Sequence, residues 1–302
     1  MDARPPLTDA AAHERRGRLR GIGLMCVAVL LFALLDTSAK LLTSQMHAVQ
    51  ITWSRYAVAL VFALLFVNPI SHPGAMRSQR PWLQIGRSAL LLTSTGLNIV
   101  ALRYLQLDQT VSILFATPFM VAVLAGPLLG EWVGIRRWMA IIVGFLGVIV
   151  VTRPGAGGIH PAAILSFMGA GCYSLYIVAT RLLSRCDSDQ TTLFYSNIAP
   201  AVAVSAAVPF FWQTPDDLFT VLLMVAVGTC GGVGHWLLII AHRLTPAAVL
   251  SPFIYTQIVW MISLGYFVFD DVPSSWTLAG ASIVIASGIY LLYRERVVKG
   301  ER

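Results

Sequence analysis

The chain has 302 residues, of which 57% are hydrophobic and only 12% charged, and its mean hydropathy is +0.75. A soluble domain carries about a quarter charged residues, so composition argues against a water-soluble fold. The formal net charge is +7, but the basic residues flank apolar stretches and form no solvated basic face, so they read as topology signals and no nucleic-acid partner is expected.

The first 20 residues are polar and Arg-bearing and are expected to form a cytoplasmic tail. The apolar run that follows is longer than a signal-peptide core and lacks a small-residue cleavage pattern, so it is read as a retained first helix. Neither a myristoylation glycine nor a C-terminal CaaX box is present. A span needs roughly 20 mostly apolar residues to cross about 30 Å of hydrocarbon. Reading between charges and Pro/Gly punctuation gives ten, with approximate limits 21–42, 48–68, 82–104, 109–130, 137–153, 160–182, 190–211, 218–241, 246–269 and 274–293, and a cytoplasmic tail over 294–302. Period-2 alternation is absent and irregular backbone cannot face lipid, so all ten are expected to be helices. With both termini inside, 16 of the 21 Lys and Arg residues fall on the cytoplasmic side and three, Lys40, Arg103 and Arg153, outside. The positive-inside rule therefore predicts an N-in, C-in chain with an even number of spans.

Ionisable groups in hydrocarbon are costly, so each one is a functional candidate unless it snorkels to an interface. Asp36 in the first span and Arg55 in the second sit at similar depth, roughly 9–11 Å below the outer surface at about 1.5 Å per residue. They are placed to form an ion pair, either as a structural lock between adjacent helices or as part of a substrate pathway. Lys40 and Arg87 are expected to snorkel. Asn98 in the third span and Thr117 in the fourth add polar groups along the same candidate pathway. Tyr173 and Tyr176 share one face of the sixth span. Asn197 and His235 lie at equal depth in the seventh and eighth, where a hydrogen bond between them or proton carriage by the histidine are alternatives. His242 is expected at the interface. Tyr255, Gln257 and Trp260 lie near the middle of the ninth; Tyr255 and Gln257 are about 200° apart on a helix, so at most one faces a central cavity.

Glycines at 228, 231, 232 and 234 crowd the eighth span and permit close helix approach. Pro118 and Pro200 are positioned to kink the fourth and seventh. The four cysteines, Cys26, Cys172, Cys186 and Cys230, are far apart and form no CxxC pair, so neither a metal nor a redox site is expected.

Shifting the chain by about 141 residues lays KLLT (Lys40–Thr43) over RLLS (Arg181–Ser184) and Phe32 over Tyr173, while a shift of 140 lays Glu131 over Asp271. Such an offset is nearly half the helical region. Five helices per half is an odd number, so two such halves would enter the membrane in opposite directions, a recurring device of secondary transporters.

The segments FALLDTSAKLL, WSRY, GHWLLIIAHRLTPAAVLSPFIYTQIVW, LGYFVFDDVP and GASIVIASGIYLLYRER resemble the EamA-type members of the drug/metabolite transporter superfamily, and the likeness covers nearly the whole chain after residue 20. The resemblance implies an all-α integral membrane protein of ten transmembrane helices, with five-helix halves over 21–153 and 160–293 around a central cavity. It also implies inner-membrane transport of a small organic metabolite, whether amino-acid-like, nucleotide-like or a vitamin such as riboflavin. The expected partners are that substrate and the lipid bilayer, with protons as a candidate coupling ion and a monomer or homodimer as the assembly. No cofactor is expected. The competing class is an intramembrane enzyme acting on a lipid or small metabolite, but no HExxH, GxSxG or ATP-binding motif is present.

Overall fold

The computed structural model describes residues 7–66, 77–102, 104, 113–114, 116–132, 134–152, 161–270, 272 and 275–297. These form helices and short connections, with no strand among the described residues. In chain order the helices are α1 (Leu7–Thr43), α2 (Ala48–Phe66), α3 (Pro81–Leu102), α4 (Thr117–Leu129), α5 (Ile135–Thr152), α6 (Ala163–Leu183), α7 (Asp189–Ala207), α8 (Leu218–Leu244), α9 and α10 (Ser275–Val297). Helix α9 is discontinuous: a short turn at Ala247–Leu250, a 3₁₀ stretch at Ser251–Thr256, then regular helix at Gln257–Phe269.

Among the described residues, five helical stretches are long and apolar enough to cross a membrane: Arg16–Thr43, Ala48–Leu65, Ala163–Leu183, Asp189–Phe211 and Leu218–Leu244. Large apolar side chains such as Leu65, Phe210 and Phe267 stand on the outer surface at 74%, 83% and 80% exposure, which in water would be untenable in such number. The molecule is a multi-pass membrane protein. Helix α3 carries Gln84, Arg87, Ser88, Ser94 and Thr95, all of which it turns inward and buries.

Several boundaries differ from those expected. Helix α1 starts at Leu7, so the Arg-bearing tail expected over 1–20 continues the first span as helix from that residue. In α4 Pro118 occupies the first turn, where a missing N–H costs nothing, and Pro127 lies inside the helix; Ile113 and Leu114 before it are also helical. The ninth span breaks at Ser251–Thr256 because Pro252 has no N–H to donate to the preceding turn. Elsewhere local chemistry explains the ends: Ser188 caps α7 by accepting from the Thr191 N–H at 3.0 Å, and Asp217 caps α8 through the Thr220 N–H at 2.7 Å. Residues 105–112, Arg103, Arg153 and Asp271 lie outside the described residues.

Helix α1 packs along α8, and α6 along α3; α2 faces α7, and α5 faces α10. Exchanging each helix with the one five places later leaves these pairings unchanged. The two described residues with left-handed backbone, Gly130 (φ 71°) and Asp270 (φ 54°), are the C-caps of α4 and α9 and stand 140 positions apart. Glycines set the closest approach: a Cβ at Gly234 would lie 2.7 Å from the Phe32 ring, so only glycine lets α8 meet α1 here.

Candidate functional site

Helices α1, α2, α3, α6 and α8, with the start of α4 and the break in α9, enclose a cavity of about 70 Å³. Val29, Phe32, Leu35 and Asp36 reach it from α1 and Arg55 from α2, while α3 supplies Leu91, Ser94, Thr95 and Asn98. Leu114 and Thr117 enter at the start of α4, Tyr173 from α6, His235 from α8, and Ile254 and Gln257 from the α9 break. Leu114 and Ile254 are 140 positions apart, as are Thr117 and Gln257. The unwound segment of α9 is what turns Gln257, the first residue after the 3₁₀ stretch, onto the cavity.

Of the eleven residues singled out from sequence, seven line this cavity: Asp36, Arg55, Asn98, Thr117, Tyr173, His235 and Gln257. Asp36 and Arg55 face it without forming the anticipated ion pair. The Asp36 carboxylate accepts a hydrogen bond from Gln257 Nε2 at 3.2 Å. Arg55 instead donates through Nη1 to Thr95 Oγ1 (2.7 Å) and through Nη2 to His235 Nε2 (2.8 Å). Accepting from a guanidinium assigns Nε2 of His235 as the unprotonated nitrogen, and Nδ1, 3.0 Å from Tyr176 Oη, as the N–H. Asn98 Oδ1 and Thr117 Oγ1 are buried against the cavity with no hydrogen-bond partner.

The other four lie elsewhere. Tyr176 is one layer below the cavity, stacked on Tyr173 with ring centroids 5.6 Å apart and bonded to His235. Asn197 does not reach His235; its amide donates to Leu193 O of its own helix at 2.8 Å. Tyr255 packs over Gly144 of α5, where a Cβ would come within 2.8 Å of the ring. Trp260 is 37% exposed on the outer surface.

Sequence reasoning missed Arg87. Far from snorkelling, it is fully buried, donating Nε to Thr180 Oγ1 (2.7 Å), Nη1 to Ser196 Oγ (2.7 Å) and Thr192 O (3.3 Å), and Nη2 to Tyr176 Oη (3.0 Å). The signal was present as a stripe at helical spacing, Gln84, Arg87, Ser88, Leu91, Ser94, Thr95 and Asn98, which places one polar edge of α3 inward. His242 is likewise buried within the protein, with Nδ1 2.9 Å from Leu238 O.

From the cavity towards the end of the bundle that carries Arg18 and Arg243, polar contacts close the interior. Beyond Arg87, Gln84 donates to Asp187 (2.8 Å) and Thr192 (3.2 Å), and Asp187 also accepts from Ser78 Oγ and from the Gln79 N–H. Alongside, Glu131 at the end of α4 pairs with Arg181 Nε at 2.7 Å and accepts from the Ala247 N–H at 3.0 Å, while Arg181 also donates to His242 O. Arg243 pairs with Asp189 and donates to Asp187 O. These contacts join α3, α4, α6, α7, α8 and α9 at one end. Among the described residues, no cluster of His, Cys, Asp and Glu is suited to hold a metal ion.

The model of the EamA-like transporter family matches twice, over residues 19–153 and 160–294. The chain belongs to the EamA-like transporter family. An S-adenosylmethionine uptake transporter of Rickettsia bellii (strain RML369-C) is 26% identical to this EamA-family chain over 276 residues, covering 91% of it and 94% of the relative. A riboflavin transporter of Vibrio cholerae serotype O1 is 25% identical over 277 residues, with coverage of 90% and 93%. A solved crystal structure shares the fold with a TM-score of 0.76 at 16% identity, covering 93% of this chain and 98% of its own. Family and relatives agree on a membrane transporter of small metabolites.

Proposed function

We propose that this EamA-family chain is a secondary carrier of the inner membrane that moves a small organic metabolite by alternating access, with ten spans in two inverted halves and both termini cytoplasmic. The observation that carries the reading is the cavity: its walls come from both matched segments, and one end is sealed by polar contacts between helices. Hydrogen bonds and ion pairs exchange partners more readily than a packed apolar core, so a seal of this kind suits a gate. At about 70 Å³ the cavity is smaller than the roughly 300–1,000 Å³ of sites that enclose organic ligands. Loading therefore requires the helices to part.

The 140-residue relation of the α4 and α9 caps supports the two-halves reading, because inverted halves give each gate a counterpart at the other end. At an offset of 140 Glu131 corresponds to Asp271, and at 141 Arg181 corresponds to Lys40. Lys40 now lies 4.4 Å from the Phe269 ring centroid, at the end of α9. In the opposite state Lys40 and Asp270, the C-cap of α9, would close the second gate while Glu131 and Arg181 separate. The relatives' names place S-adenosylmethionine and riboflavin first among solutes to test. A gradient supplies the energy in this reading, through protons or by exchange against a second solute.

Purified protein reconstituted into liposomes tests the proposal. Loading the vesicles with an extract of cellular metabolites should stimulate saturable entry of at least one labelled member of that pool. Non-saturating flux would instead indicate a channel, and product formation in detergent, where vectorial movement is impossible, would indicate an enzyme.

A further inference from the structure

The cavity combines three features that the transporter reading leaves unused. First, Asp36 and Arg55 share it but are not paired: the carboxylate holds only an amide donor, Gln257, and the guanidinium holds only neutral acceptors, Thr95 and His235. Two opposite charges in one low-dielectric cavity attract strongly, so keeping them on separate partners leaves each with capacity for an incoming group. Second, the unpartnered polar atoms on its wall, Asn98 Oδ1 and Thr117 Oγ1, are oxygens able to accept. With Asp36 they make three acceptor groups, the number that one primary ammonium satisfies with its three N–H donors. Third, Arg55 and Arg87 have no carboxylate within ion-pair distance among the described residues, and they are linked through His235 and Tyr176. An uncompensated guanidinium at such depth is costly, and a substrate carboxylate bound bidentately would offset that cost.

We infer that the cavity is a zwitterion site: Asp36, Asn98 and Thr117 take a substrate ammonium, Arg55 takes its carboxylate, and Phe32 and Tyr173 contact an apolar or flat remainder. The inference rests on the carrier reading and narrows its cargo to α-amino acids and solutes that carry an amino-acid head group. An uncharged solute would leave both charges unmatched. A solute with one charge would leave the other buried alone, which is why the site discriminates against it.

The test is ligand-induced stabilisation of the purified full chain in detergent, which does not depend on transport. The probes are the twenty common α-amino acids and S-adenosylmethionine, which carry both charges, and riboflavin, which carries neither. Any zwitterion that binds is followed by its decarboxylated amine and its deaminated acid. The expected result is that at least one zwitterion raises the melting temperature, and that both single-charge analogues bind at least tenfold more weakly. Asp36→Asn and Arg55→Gln should each weaken the zwitterion at least tenfold, whereas Asp36→Glu and Arg55→Lys, which keep the charges, should retain part of the affinity. If Asp36→Asn or Arg55→Gln does not fold, the affinity ratio between zwitterion and single-charge analogues in the wild type decides alone. Stabilisation by riboflavin and by no zwitterion overturns the inference while leaving the carrier reading intact. So does a zwitterion whose single-charge analogues bind equally well, or a panel in which no zwitterion binds. Failure of the carrier reading would show separately, as absence of saturable, trans-stimulated entry in the liposome experiment.

Discussion

Replacing Arg87 should separate shape from charge. Its guanidinium makes four hydrogen bonds to groups on α6 and α7. A hydrogen bond to a charged group contributes about 1.5–3 kcal/mol net of desolvation, and the four bonds of one guanidinium are not additive, so together they are worth about one or two such bonds. A net contribution of about 3 kcal/mol follows. Arg87→Met removes the bonds and the buried charge together, and the Thr180 and Ser196 hydroxyls keep their own acceptors at Tyr176 O and Thr192 O, so no donor is stranded. Arg87→Lys keeps the charge but cannot span three helices with a fork, leaving a poorly satisfied buried ammonium. The account therefore predicts that the lysine variant is at least as destabilised as the methionine variant. At about 2 °C per kcal/mol for a chain of this size, each should melt roughly 6 °C or more below wild type in detergent. A lysine variant as stable as wild type would refute the reasoning, because it would mean that residue 87 reaches water.

Three further outcomes follow from the same contacts. Glu131→Gln weakens the tie between α4, α6 and α9; losing about 1–2 kcal/mol should raise the population with this end open roughly 5- to 30-fold, read as faster thiol labelling of Cys186. Asp187→Ala removes the acceptor for Ser78, Gln79 and Gln84 and should cost about 2–4 kcal/mol, with faster proteolysis near 77–80 as the local readout. Gly234→Leu forces the Phe32 ring into the cavity at an overpacking cost of about 1–3 kcal/mol; uptake should fall while the protein still inserts and purifies.

The all-helical, multi-pass character was legible because membrane insertion constrains composition and demands long apolar helices. The break in α9 was not, since Pro252 alone does not say whether a helix kinks or unwinds. At the site, residue type and depth were enough to single out Asp36, Arg55, His235 and Gln257, because intramembrane polar groups are expensive wherever they sit. Their pairing was not readable: equal depth suggested Asp36 with Arg55 and Asn197 with His235, whereas rotation about each helix axis gave Gln257, Thr95 and Tyr176 as the partners. Arg87 was misjudged because its depth alone fits snorkelling; the polar stripe along α3 resolves that ambiguity.

The central claim is alternation between two gates, and a pair of distance measurements by double electron–electron resonance addresses it directly. One label pair, at Trp132 and Gln190, straddles the sealed end; the other, at Ser44 and Val272, straddles the opposite end. On adding a transported solute, the account predicts two populations in which the first distance lengthens as the second shortens. Distances that stay fixed, or that lengthen together, would contradict it.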